Sequence, residues 1–104
     1  MGKKSRDKGA KFEREVVNFH RDMGIASERV PLSGAMKGSY AGDVVIHGMT
    51  AECKIRANGF KELYGWLEHD DADFLVIRAD RRKPLYVLPE ETWVKFLEWS
   101  EIKK

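Results

Sequence analysis

Apolar residues recur at helical spacing in Phe12, Val16, Phe19 and Met23, which predicts an amphipathic helix over about residues 10–23, stopped by Gly24. Residues 26–31 read as a short strand. From Leu32 to Gly42 the pattern lapses into Ser33, Gly34, Gly38, Ser39 and Gly42. That is an irregular loop of about ten residues, near the upper end of what compact domains carry without a functional reason. Strict alternation then returns, with strands at 43–47 and 50–56 around a turn at Gly48-Met49. Phe60, Leu63, Tyr64 and Leu67 mark a second helix at about 59–69, followed by strands at 73–79 and 84–88 with Asp80-Arg81-Arg82-Lys83 as their turn. Pro89 opens a last helix that turns Trp93, Phe96 and Leu97 inward. The order αβββαββα predicts an α/β domain around a mixed sheet flanked by helices.

The hairpin at 43–56 carries the chemistry. A two-residue turn with Gly first suits type II′. On Gly48-Met49 it sets His47 opposite Thr50, Val45 opposite Glu52 and Asp43 opposite Lys54. Val44, Ile46, Ala51, Cys53 and Ile55 then share a wholly apolar face. Asp43, Glu52, Lys54 and Arg56 share the other, with Val45 and His47. A one-residue slip would separate Asp43 from Glu52 and Lys54 and spoil the apolar set.

Two carboxylates and an ammonium thus gather on one strand face. Carboxylates plus waters are what Mg²⁺ typically accepts, and Mn²⁺ takes the same ligands. Such an ion polarises a phosphate and acidifies a bound water, while Lys54 can orient that water or neutralise developing charge. Taken alone, the short pattern of Asp43 with Glu52-x-Lys54 reads rather as an exposed strand face with cross-strand ion pairs, each worth under ~1 kcal/mol.

Length and charge sharpen this. The 104 residues fit a single domain, 1–104, and 42% hydrophobic residues supply a real though small core. No apolar run approaches the ~18 residues of a membrane span, and the basic start leads into no secretory signal. A lone Cys53 excludes an internal disulfide and a Cys-based zinc cage. It suits a reducing, intracellular compartment. The overall charge of +2 hides an asymmetry, because Lys3, Lys4, Arg6, Lys8 and Lys11 face only Asp7 within residues 1–11. A basic arm over 1–8 is a footprint of phosphate-backbone binding, or simply a solvated terminus.

Asp43 followed by Glu52-Cys53-Lys54 on the next strand resembles the Asp…(Asp/Glu)-x-Lys motif of restriction-endonuclease-like nucleases, whose αβββαβ core has the same order. Lys8-Gly9-Ala10-Lys11-Phe12-Glu13-Arg14-Glu15, Arg29-Val30-Pro31-Leu32-Ser33-Gly34 and Gly42-Asp43-Val44 together resemble the archaeal-type Holliday junction resolvases, found also in phages. This resemblance covers about residues 8–56. It implies that Glu13, Asp43, Glu52 and the Cys53 backbone carbonyl hold Mg²⁺, with Lys54 catalytic and Ser33 in the catalytic loop. It implies phosphate contacts from Arg14 and Arg29, joined on charge grounds by Lys3, Lys4, Arg6, Lys8, Lys37 and Arg56. Gly42 departs from the proline often found before the catalytic Asp, which changes no ligand.

The function so implied is a metal-dependent endonuclease that resolves four-way DNA junctions by paired symmetric nicks. One hairpin site makes one nick, so the reading requires a two-fold homodimer. Phe60, Tyr64, Trp66, Tyr86, Trp93 and Trp99 offer interface material in the C-terminal half. Two other readings stand beside it: a nuclease of the same fold for other branched, nicked or flap DNA, and a DNA-binding module without cleavage. His20, His47 and His69 read as surface histidines and Cys53 as a small core residue, while Trp66 lies off its helical stripe.

Overall fold

The computed structural model describes residues 3–30 and 43–100, with side chains from Arg6 onward. Its elements are α1 (Lys3–Asp22), β1 (Ser27–Arg29), β2 (Val44–Ile46), β3 (Met49–Ala51), α2 (Lys61–His69), β4 (Leu75–Ile77), β5 (Leu85–Val87) and α3 (Glu90–Trp99). Class and order are those expected, α/β with three helices, compatible with a restriction-endonuclease-like core. The described strands form two antiparallel sheets, β1-β2-β3 and β4-β5, rather than one mixed sheet. The short connections β2–β3 and β4–β5 leave those pairs no room for a parallel crossover, and β1 pairs antiparallel with β2 as well. No helix among the described residues is long and apolar enough to cross a membrane. Two compact units result, one reaching Ile55 and the other beginning at Arg56.

In the first unit α1 packs on β1 and β2. Val17, Ile25, Val30, Val44 and Ile46 are buried, and Val44 is 0% exposed. Burying an aliphatic side chain of this size contributes about 1.5–3 kcal/mol. The helix starts at Lys3, well before its apolar stripe, and runs on through Ser5, Asp7 and Gly9, so Arg6 and Lys8 ride on α1 rather than on a loose arm. It ends as expected at Gly24, whose φ of 82° lets its N–H and that of Ile25 return to the carbonyls of Arg21 and His20. His20 is a correction: it is buried, with Nδ1 2.7 Å from the Val16 carbonyl and its ring edge-on to Phe19.

The β2–β3 hairpin corrects the expected turn. Its central residues are His47 and Gly48, at φ 49° and 82°, and the pairs are Ile46 with Met49, Val45 with Thr50 and Val44 with Ala51. Two consecutive positive φ values make a type I′ turn, with Gly second rather than first. The register therefore moves by two positions. A shift of two preserves the faces, so Val44 and Ile46 stay buried, and exposure still alternates from Ala51 to Arg56.

In the second unit α2 lies against β4. Leu63 and Leu67 are half-buried, but Phe60 and Tyr64, expected on the same stripe, are exposed. In α3 Leu97 is buried as expected, whereas Phe96 is exposed. Buried Thr92 ties the helix down by donating its hydroxyl to the Asp73 carbonyl at 2.7 Å.

Candidate nuclease site

Asp43 sits at an irregularity of the sheet. Its N–H donates to the carbonyl of Ala51 at 2.8 Å, although Ala51 already pairs with Val44. Two residues of one strand thus oppose one of the other, a bulge, which re-aims side chains and is frequent beside active sites. The re-aimed carboxylate accepts the Cys53 N–H at Oδ2, 2.8 Å away. This bond draws Asp43 to the middle of Glu52-Cys53-Lys54, in place of the expected pairing with Lys54. The sequence offered no sign of that N–H as an anchor, because the contact depends on the bulge.

Glu52 and Lys54, alternate residues on the exposed side of this segment, form an ion pair at 3.1 Å. Both side chains are more than half exposed, so the pair itself adds little stability. Glu13 comes from α1. Arg29 Nε and Nη2 both reach its Oε1, at 3.0 and 2.9 Å, with Glu13 19% and Arg29 33% exposed. The bridge fastens the helix carboxylate to β1. It also occupies Arg29, which the resemblance assigns to phosphate.

Cys53 registers the combined field. Burial pushes its thiol up from 9.0 to about 11, with further upward pushes from the charges of Asp43, Glu13 and Glu52. The three carboxylates expected to hold a metal therefore act on one atom. Their hard oxygens are the chemistry a divalent cation accepts. Among the described residues no three His, Cys, Asp or Glu side chains stand close enough to form a ready-made cage.

The remaining expected residues are spread more widely. Arg6, Lys8 and Arg14 are exposed on α1, and Arg56 is exposed at the start of the second unit. Ser33 and Lys37 lie outside the described residues, as do the side chains of Lys3 and Lys4. His47 is exposed in the turn, and His69 is exposed with its Nδ1 3.1 Å from Asp70.

The family model of the archaeal Holliday junction resolvases (Hjc) matches residues 4–92. The chain belongs to this family. Membership implies a Holliday junction resolvase nuclease, a class that acts on branched DNA. The match runs well past Lys54, so the second unit is Hjc-like too, beyond what the motifs at 8–56 indicated. No curated protein and no solved structure matches this Hjc chain.

Proposed function

We propose that this chain is a divalent-metal-dependent endonuclease that resolves four-way DNA junctions by paired symmetric nicks, acting as a homodimer. The observation that carries the reading is the Asp43 carboxylate held on the Cys53 N–H, which joins it to Glu52 and Lys54. Glu13, Asp43, Glu52 and the Cys53 carbonyl would hold Mg²⁺, or Mn²⁺ in its place. The ion would supply polarisation of the scissile phosphate and a more acidic water. Lys54 carries the positive charge of the site and can orient a water or offset charge growing on the phosphate. Arg29 positions Glu13 through their bridge, and its guanidinium has donors enough to take a backbone phosphate as well.

The homodimer is supported by an apolar surface in the second unit. Phe74 meets Tyr86 and Phe96 with ring centroids 6.3 Å apart, and Phe96 meets Trp99 at 5.3 Å. All four are exposed, Tyr86 by 62% and Trp99 by 68%. Aromatic surfaces of this kind are enriched at interfaces. Light scattering without DNA should give close to twice the 12.0 kDa chain mass.

The deciding experiment incubates labelled four-way junction and linear duplex with the protein, in Mg²⁺ and in EDTA. Junction cutting only with the metal is expected, with one nick per junction when one subunit carries Glu52→Gln. Asp43→Asn and Glu52→Gln should stop cutting while junction binding persists. Binding with no cleavage of any substrate would leave a DNA-binding module. Preferred cutting of flaps or nicks would move the substrate to other branched DNA.

A further inference from the structure

We infer that the second unit carries a separate binding groove for unpaired nucleotides, formed by Trp66 and the basic connection between β4 and β5. Residues 78–83 hold Arg78, Arg81, Arg82 and Lys83 against Asp80 alone. The rest of residues 56–101 holds three cations, Arg56, Lys61 and Lys95, against nine acids. The connection is thus a positive island in an otherwise acidic unit. None of its four cations is ion-paired among the described residues, so their donors remain for an outside acceptor.

Arg78, Arg82 and Lys83 line a groove of about 820 Å³ with Trp66, Ile77 and Leu85. Ile77 and Leu85 are a cross-strand pair, so they floor the groove from one face of the hairpin. Trp66 forms part of its wall and is 47% exposed. An exposed indole among unspent cations suits a strand whose bases are free to stack, with its phosphates on the cations. Duplex DNA keeps its bases stacked on one another and offers nothing to the indole. Side-chain alternation sends the neighbouring pair, Val76 and Tyr86, to the opposite face, so the groove is distinct from the aromatic surface assigned to the dimer.

The groove adds a contact to the proposed nuclease without depending on it, so its test excludes cleavage. Fluorescence anisotropy with labelled single-stranded oligothymidylate in EDTA, using the full chain over a range of salt, reads binding without cleavage, and the groove's share is the difference between the parent and its groove variants. Trp66→Ala should weaken binding about tenfold, and Trp66→Phe should retain most of the affinity. Arg82→Ala with Lys83→Ala should flatten the salt slope by about 0.7 per lost phosphate contact. These two cations are exposed, so their removal tests the groove even if Trp66→Ala fails to fold. Parental affinity and salt slope in the Arg82/Lys83 double variant would overturn the inference. So would a Trp66→Ala protein that lost its dimer mass by light scattering and kept its oligothymidylate affinity, since that groove would serve a second copy. Absence of Mg²⁺-dependent cutting of any DNA substrate by the parent protein, with intact oligothymidylate binding, would refute the nuclease reading alone.

Discussion

The Glu13–Arg29 bridge links the helix carboxylate of the candidate site to β1, and its strength can be measured. Both contacts, at 2.9 and 3.0 Å, converge on one carboxylate oxygen, with the two side chains 19% and 33% exposed. A fully exposed pair would contribute about 0.2–1 kcal/mol. Removing one partner of a fully buried pair would cost about 3–5 kcal/mol. Intermediate burial places Glu13→Gln at about 1.5 kcal/mol, partly because Arg29 loses its anion while still about two-thirds covered. For a domain of this size that corresponds to a fall in Tm of roughly 6–12 °C. A double-mutant cycle isolates the bridge: Glu13→Gln, Arg29→Gln and the pair, each followed by urea unfolding at constant ionic strength. The coupling should be about 1 kcal/mol and should shrink in high salt. A coupling below ~0.3 kcal/mol would refute the reasoning, because the helix acid would then be placed by the helix alone.

Three further outcomes follow from local geometry. His47→Asn should raise stability by a few tenths to about 1 kcal/mol, because Asn accepts the left-handed first position of a type I′ turn more readily than His; an unchanged or lower Tm would contradict the turn assignment. Gly59→Ala should destabilise by about 1–3 kcal/mol, since a Cβ there would lie 2.6 Å from the Arg56 Cβ; a neutral result in thermal unfolding would show that the segment yields. Cys53 should react slowly with a disulfide reagent at pH 8, holding roughly a hundredth of the thiolate of an ordinary cysteine. Its folded pKa lies above the unfolded value, so the stability linked to the protonated thiol is intact below pH 9.0 and declines as pH climbs towards about 11. A reaction rate matching that of the urea-unfolded chain would contradict the burial and the carboxylate field together.

Local pattern carried the element order, the Gly24 stop, and the apolar face of Val44 and Ile46. Each follows from periodicities of 3.6 or 2 that act between near neighbours. It also marked Asp43, Glu52 and Lys54 as candidate chemistry, because alternation assigns residues to faces whatever lies across the sheet. Alternation cannot choose between registers two positions apart, since both keep the same faces, so the hairpin pairing was decided by the positive φ of His47 and Gly48. Exposure of Phe60 and Tyr64 was likewise undetermined, because a helical stripe longer than its partner surface looks identical in sequence. Burial of His20 required a ring partner and a carbonyl at the right place in the packed fold. The bulge at Asp43-Val44 opposite Ala51, which turns Asp43 onto the Cys53 N–H, and the bridge from Glu13 to Arg29 sixteen residues away, exist only after the chain has packed. The sequence by itself therefore determined which polar residues share a strand face and stand as candidates for the chemistry. The tertiary structure alone decided their partners, because those contacts join segments that local periodicity does not relate.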